Sequence, residues 1–426
     1  MGEILVGILV LFFLFRALRW IGALLSDGSD WEWKATLLMV VIAWGYIHGP
    51  GSSPPPRHFL SRLAKNQMPV SINGSGCHNL NVPCTRITLC VPHTTHCQTL
   101  SGILVDSGDT GVRISEKSLH LSLPNVDLNS PRFECTTYQE HSARWGPVVR
   151  ATVILAHEPP VTVPVHLYRH TNRDLCGKGM KIPAHPFNGS LGVAPLITDC
   201  GRECSRHRRN RRYFTCRHTL CRETALPLSQ QVVCPIVRLP EDNNGFVLSF
   251  GNVPKDGTRR VDGTLTLGIG TRENSVPTPK TVTLFHTDPE GELLTRYHGV
   301  RGKGVLDTGT NFYLLPKGSF LRNERSGCFQ PEGDGLFFKC PRRKERAIIE
   351  GIHGRHRREV TFTLTSEREI FRRANHQNVL ATDSWGGSYR NENSFTWGMP
   401  FFYGRKVYFG FPGYDSVLGK GPYVAF

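Results

Sequence analysis

Long amphipathic helical patterns are scarce in this chain of 426 residues, and no clean apolar run reaches eighteen residues. The first scarcity argues against a helical bundle, and the second against an obvious membrane span. No fixed repeat of 20–50 residues is present, which excludes solenoids and propellers. A His-Glu-x-x-His pair is missing, so a zinc peptidase is not expected. Acidic residues are outnumbered, 35 Asp and Glu against 51 Lys and Arg, leaving a net charge of +16. Cysteine is absent from the first 76 residues; all 13 lie between Cys77 and Cys340.

What the chain does contain is turn-forming residues, 43 Gly and 29 Pro, between short β-branched and aromatic runs. Residues 161–168, 263–269, 281–286 and 360–365 are such runs, and together they predict an all-β protein. The length suits two lobes, each large enough to bury a core.

Two tripeptides stand out: Asp106-Ser107-Gly108 and Asp307-Thr308-Gly309, whose aspartates are 201 residues apart. Each follows an apolar run, 103–105 or 304–306, and each precedes another, 112–114 or 312–315. Each therefore reads as a buried strand ending in a carboxylate on a tight turn. A single Asp-Ser-Gly is ordinary turn chemistry. A pair in lobe-sized halves has a sharper meaning, because two facing carboxylates cannot both ionise and so share a proton. One then serves as general base toward water and the other as general acid toward a carbonyl. That is aspartic peptidase chemistry, and it requires no cofactor and no metal.

A second apolar–glycine element follows each aspartate, with Gly192 86 residues beyond Asp106 and Gly398 91 residues beyond Asp307. With Phe187, Asn188, Gly189 and Leu191 in the first element and Trp397 in the second, the chain resembles the bilobal pepsin-like proteins. Thr310 and Pro316 also match the second pepsin-like motif. The resemblance extends to a bacterial family of secreted pepsin-like proteins known as a domain of unknown function. It is carried by residues 89–92, 105–114, 145–148, 199–201, 242–245, 263–271, 397–404 and 421–423, and covers about 74–426. It implies a double β-barrel with Gly192 and Gly398 supporting the cleft. It also implies that Ser107, Gly108, Thr308, Gly309 and Thr310 support the dyad. The first loop departs from the pepsin-like pattern: Asp109 stands where a hydroxyl is expected. Pointing inward, Asp109 would add a third acid and raise the coupled titration; pointing outward, it would be a surface turn residue. The resemblance further implies a flap, for which Tyr138 and then Trp145 are the candidates.

The expected division is a hydrophobic signal or anchor over 1–48, a Pro/Gly/Ser linker over 49–73, a first lobe over 74–275 and a second over 276–426. The apolar runs 4–15 and 35–47 support an exported chain tethered to the membrane, in the cell envelope or secreted. Cysteine pairs Cys90–Cys97 and Cys328–Cys340 are expected as disulfides. Cys200, Cys204, Cys216 and Cys221 form a cluster for which disulfides compete with a tetrahedral zinc site. Around that cluster, over 199–223, lie Arg202, Arg206, Arg208, Arg209, Arg211, Arg212, Arg217 and Arg222. They read either as a solvated insertion or as a surface for an anionic envelope polymer. Nucleic acid is not expected, because little aromatic character beyond Tyr213-Phe214 is interleaved with them and no nucleic-acid motif surrounds them. The expected function is an exported endopeptidase acting on peptides or proteins through Asp106 and Asp307. The alternative is a catalytically inactive binding protein of the envelope using the same cleft.

Overall fold

The computed structural model describes residues 63–138, 142–169, 176, 187–217, 220–277, 282–316, 328–332, 335–354, 356–389 and 394–426. Both amino-terminal apolar runs lie outside the described residues. Among the described residues, no helix is long and apolar enough to cross a membrane.

The first lobe uses strands β1 (Gln67–Ile72), β2 (Pro83–Cys90), β3 (Cys97–Asp106), β4 (Thr110–Ser115) and β5 (Arg132–Tyr138). It continues with β6 (Ser142–Ile154), β7 (Val161–Tyr168) and β8 (Gly189–Val193). The order β6-β7-β4-β8-β3-β2 closes on itself, because β2 also pairs with β6. Closure leaves no free edge in that ring. Ile103, Val105, Val112, Ile114, Leu191 and Val193 are fully buried in its core. The long β6 continues past the barrel to pair with β5 as a projecting hairpin, whose turn lies outside the described residues.

Two further strands, β9 (Tyr213–Arg217) and β10 (Leu220–Glu223), come from the Arg-rich segment. β9 pairs with β5, so the segment widens the hairpin into a sheet ordered β10-β9-β5-β6.

After this come β11 (Gly245–Phe250), β12 (Val261–Leu267) and β13 (Leu284–His286). The second lobe follows, with β14 (Leu293–Tyr297), β15 (Val300–Leu306), β16 (Tyr313–Leu314), β17 (Phe329–Glu332) and β18 (Gly335–Phe338). It is completed by β19 (Arg343–Glu350), β20 (Arg357–Leu364), β21 (Gly386–Tyr389) and β22 (Phe395–Trp397), in the order β17-β18-β21-β16-β22-β15-β14-β19-β20. Finally β23 (Lys406–Gly410) and the strand Tyr423–Ala425 return to pair with β11 and β13.

Two expected boundaries are corrected by this topology. The linker assigned to 49–73 gives way to β1, whose six residues all pair with β12. The break at 275/276 falls within a connecting sheet, β1-β12-β11-β23 and then Tyr423–Ala425 and β13, that draws on both halves of the sequence. Buried Asn81 fastens the halves further: its amide donates to the carbonyls of Asn311 and Thr382 and accepts from the Thr382 N–H.

The cysteines form six disulfides, which fits an exported protein. Cys90–Cys97 and Cys328–Cys340 pair locally. The Arg-rich cluster contains Cys200–Cys204 and Cys216–Cys221, which leaves no thiolates for zinc there. Cys77–Cys84, spaced by seven residues like Cys90–Cys97, and Cys135–Cys176, joining residues 41 apart, were not anticipated. Cys234 remains reduced and buried, and burial pushes its thiol up to about 12. Native protein at pH 8 is expected to show no reaction with a disulfide-exchange reagent. Protein unfolded without reductant should show one thiol per chain.

Candidate active site

Strands β3 and β15 deliver the two aspartates to one place. Asp106 ends β3 opposite Gly192, and the parallel β15–β22 pair sets Asp307 beside Trp397, whose carbonyl accepts the Asp307 N–H. Both glycines are required by close approach. A Cβ on Gly192 would lie 2.7 Å from the Asp109 carbonyl, and one on Gly398 would lie 2.6 Å from the Thr310 carbonyl.

The loops are locked reciprocally. Ser107 N–H donates to Thr308 Oγ1 at 3.0 Å, and Thr308 N–H donates to Ser107 Oγ at 3.0 Å. Each hydroxyl then donates across the lobes, Ser107 to the Leu306 carbonyl and Thr308 to the Val105 carbonyl. Each small hydroxyl thus satisfies one buried donor and one buried acceptor on the opposite loop, a role Ala or Gly could not perform.

This lock brings the carboxyls together. Gly108 N–H donates to Asp106 Oδ1 at 2.9 Å, and Gly309 N–H to Asp307 Oδ1 at 2.7 Å. Each glycine faces the other lobe's acid: a Cβ on Gly309 would lie 2.5 Å from Asp106 Cγ, and one on Gly108 2.5 Å from Asp307 Cγ. The two carboxyls thus stand beside one another at the meeting of the two loops. Burial, then the charge of Asp307 and that of Asp109, raise Asp106 well above the usual carboxylate range. One proton is therefore retained by the pair to higher pH. They open into a cleft of 540 Å³ also lined by Thr136, Thr137, Arg212, Asn311, Phe312 and Thr396.

The loops differ at their fourth residue. Thr310 donates its hydroxyl to Asp307 Oδ2 at 2.6 Å. Asp109 turns inward and its charge raises Asp106, but it is also paired. It lines the cleft but faces Arg113 Nη1 at 3.1 Å, with its own Oδ1 accepting the Thr110 N–H.

Arg113, in the fully buried β4, is the centre of a charge cluster. Its Nη2 meets Glu134 Oε1 at 2.9 Å and Asp199 Oδ2 at 3.1 Å, and its Nε donates to Thr136 Oγ1. Arg212 Nη1 lies 3.7 Å from both acids. Tyr213 donates to Asp199 Oδ1 at 2.5 Å. Burial and then the neighbouring Glu134 raise Asp199 well above its usual range. Burial also opposes ionisation of Glu134, but Arg113, His166 and Arg212 overcome it and hold that carboxyl low.

His166 lies 3.4 Å from Glu134 Oε2 and is fully buried. Burial lowers it to about 4, so the ring is neutral above that pH. A depressed histidine contributes its stability in full above about 6.5 and loses it as pH falls through the folded value. The loss approaches ~3 kcal/mol below pH 4. Thermal unfolding between pH 6.5 and 4 is expected to be less pH-sensitive in His166→Gln than in the unmodified protein; parallel slopes would contradict the assignment.

Of the flap candidates, Tyr138 is the last paired residue before the hairpin turn, opposite Ser142, and its side chain lies outside the described residues. Trp145 is corrected. It pairs with Cys135, is 5% exposed, stacks on Phe133 and meets Phe214 edge-on, so it is hairpin core rather than a closing group. Among the Arg-rich residues, Arg212 turns into the cleft, whereas Arg202, Arg206, Arg208, Arg209, Arg211, Arg217 and Arg222 are exposed. Glu134 and Thr136 had no sequence signal of their own, and Asp199 stood out only as part of the stretch 199–201 that carries the family resemblance. Arg113 did have one, being a charge inside the apolar run 112–114.

Fold and site together define an all-β protein with barrel-like sheets and a pair of interlocked aspartate loops at one cleft. The chain belongs to the family described as protein of unknown function (DUF3443), whose model matches residues 62–426. Among solved structures it is similar to the aspartic proteinase from Irpex lacteus. The two are 15% identical with a TM-score of 0.48, over 84% of this chain and 96% of that one. No curated protein matches the chain.

Proposed function

We propose that this protein is a pepsin-like, exported aspartic endopeptidase. The observation that carries the reading is the reciprocal lock of Ser107 and Thr308, which sets the Asp106 and Asp307 loops against each other, with burial and the neighbouring acids raising Asp106. A water held by the pair loses a proton to the ionised carboxyl as its oxygen attacks a peptide carbonyl carbon. The protonated carboxyl donates a hydrogen bond to the developing oxyanion. Transfer of a proton to the amide nitrogen then breaks the C–N bond, leaving a carboxylic acid and an amine. Which aspartate takes which role is a property of the pair. Thr310 orients Asp307, and the β5–β6 hairpin, with Thr136 and Thr137 on the cleft, covers the substrate.

Full-length oxidised protein incubated with an unfolded protein substrate between pH 3 and 7 tests this directly. Internal peptide-bond cleavage with a bell-shaped pH dependence is expected. A folded protein that cuts nothing in this range contradicts the reading and leaves a binding protein with the same cleft.

A further inference from the structure

We propose that Arg113 is a positioning residue of the first aspartate loop, holding Asp109 off the dyad and clamping the flap sheet to that loop. The proposal rests on the dyad reading above.

A fully buried guanidinium is costly to desolvate and survives only where its hydrogen bonds are met. The barrel does not itself demand one here: four residues after Asp109 comes Arg113, but four after Thr310 comes Leu314, also buried. What differs is the loop's fourth residue. Where a hydroxyl holds the carboxyl, the strand is apolar; where a carboxylate replaces the hydroxyl, an arginine faces it.

The donors of Arg113 also join three parts of the protein. Nη1 holds the Asp109 carboxylate and the Thr110 carbonyl within the loop. Nη2 and Nε hold Glu134 and Thr136 on the flap strand β5, and Nη2 also reaches Asp199, which begins the Arg-rich segment. Thr136 itself lines the cleft. A planar fork can serve all of these at once, whereas an ammonium cannot.

The charged and titratable groups facing this point come from every element around it. They are Asp109 on the loop, Glu134 on β5, Arg144 on β6, His166 on β7, and Asp199, Arg212 and Tyr213 from the Arg-rich segment. Facing Asp106 itself are Asp307 and Asp109. Arg113 thus offsets the one acid beside the dyad that is not part of it.

Two readouts separate positioning from mere stability: kcat/KM against pH, and the carboxyl titration of Asp106 followed by ¹³C NMR. Asp109→Asn is expected to move the alkaline limb and the Asp106 midpoint to lower pH, raising the acid-to-neutral activity ratio several-fold. Arg113→Lys keeps a charge but loses the fork. It is expected to move both readouts to higher pH, with kcat reduced about ten-fold. Asp109→Asn combined with Arg113→Lys should bring the limb back down. Unmoved limbs and midpoints in folded Asp109→Asn protein overturn the proposal, whatever becomes of Arg113→Lys. If the unmodified protein proves inactive, the dyad reading fails, and the titration alone decides for or against Arg113.

Discussion

Asp307→Asn and Asp106→Asn are each expected to reduce peptide cleavage by about 10³-fold or more while leaving the fold intact. An amide can still accept the Gly309 or Gly108 N–H, so the reciprocal lock survives. It cannot share a proton, and it can serve as neither general base nor carboxylic acid. Stability supplies the control. Burial and the Asp307 charge raise Asp106, so the ionised pair opposes folding at neutral pH. A carboxyl raised by folding costs stability above its folded pKa and none below its unfolded one. The Asn variants should therefore unfold at the same or higher temperature at pH 7, with the difference vanishing in acid. Loss of activity accompanied by loss of fold would not support the dyad.

Gly309→Ala and Gly108→Ala are the next largest expected effects. Each added methyl would sit 2.5 Å from the partner carboxyl's carbon, well inside contact distance. Relief requires the two loops to separate, and the Ser107–Thr308 lock resists that movement. A displacement near 1 Å between catalytic groups costs about 10²-fold. Cleavage should fall by that order in each single variant. Because both disturb one distance, the double variant should lose less than the product of the two. Independent, multiplicative losses would mean that the carboxyls do not act as a pair.

The sequence made the two aspartate loops visible because what builds each loop is local. An apolar strand, an acid, a small hydroxyl residue and a glycine are consecutive, and the motif occurs twice. The charge cluster was harder to read because its members meet only through barrel closure. Arg113 reaches Glu134 across 21 residues and Asp199 across 86. Glu134 is fully buried, yet in sequence it looks like any strand glutamate. Arg212 illustrates the same limit: it belongs to a run of exposed arginines, and only the pairing of β9 with β5 turns it into the cleft. β1 was hidden by Pro69 and by its distance from its partner, since the strand it pairs with lies almost 200 residues away. Trp145 was aromatic and next to turn residues, which suggested a flap tip. The register of the hairpin instead sets it against Cys135, three pairs short of the turn.

The most direct test of the central claim is the carboxyl ¹³C titration of Asp106 and Asp307 in the full-length protein, repeated in Asp307→Asn. A dyad predicts two coupled steps, with Asp106 retaining its proton well above the ordinary carboxylate range. Its midpoint should then fall when Asp307 is neutralised, though burial keeps it raised. Two independent steps near the ordinary range, with Asp106 unmoved by the loss of Asp307, would contradict a shared proton and with it the peptidase.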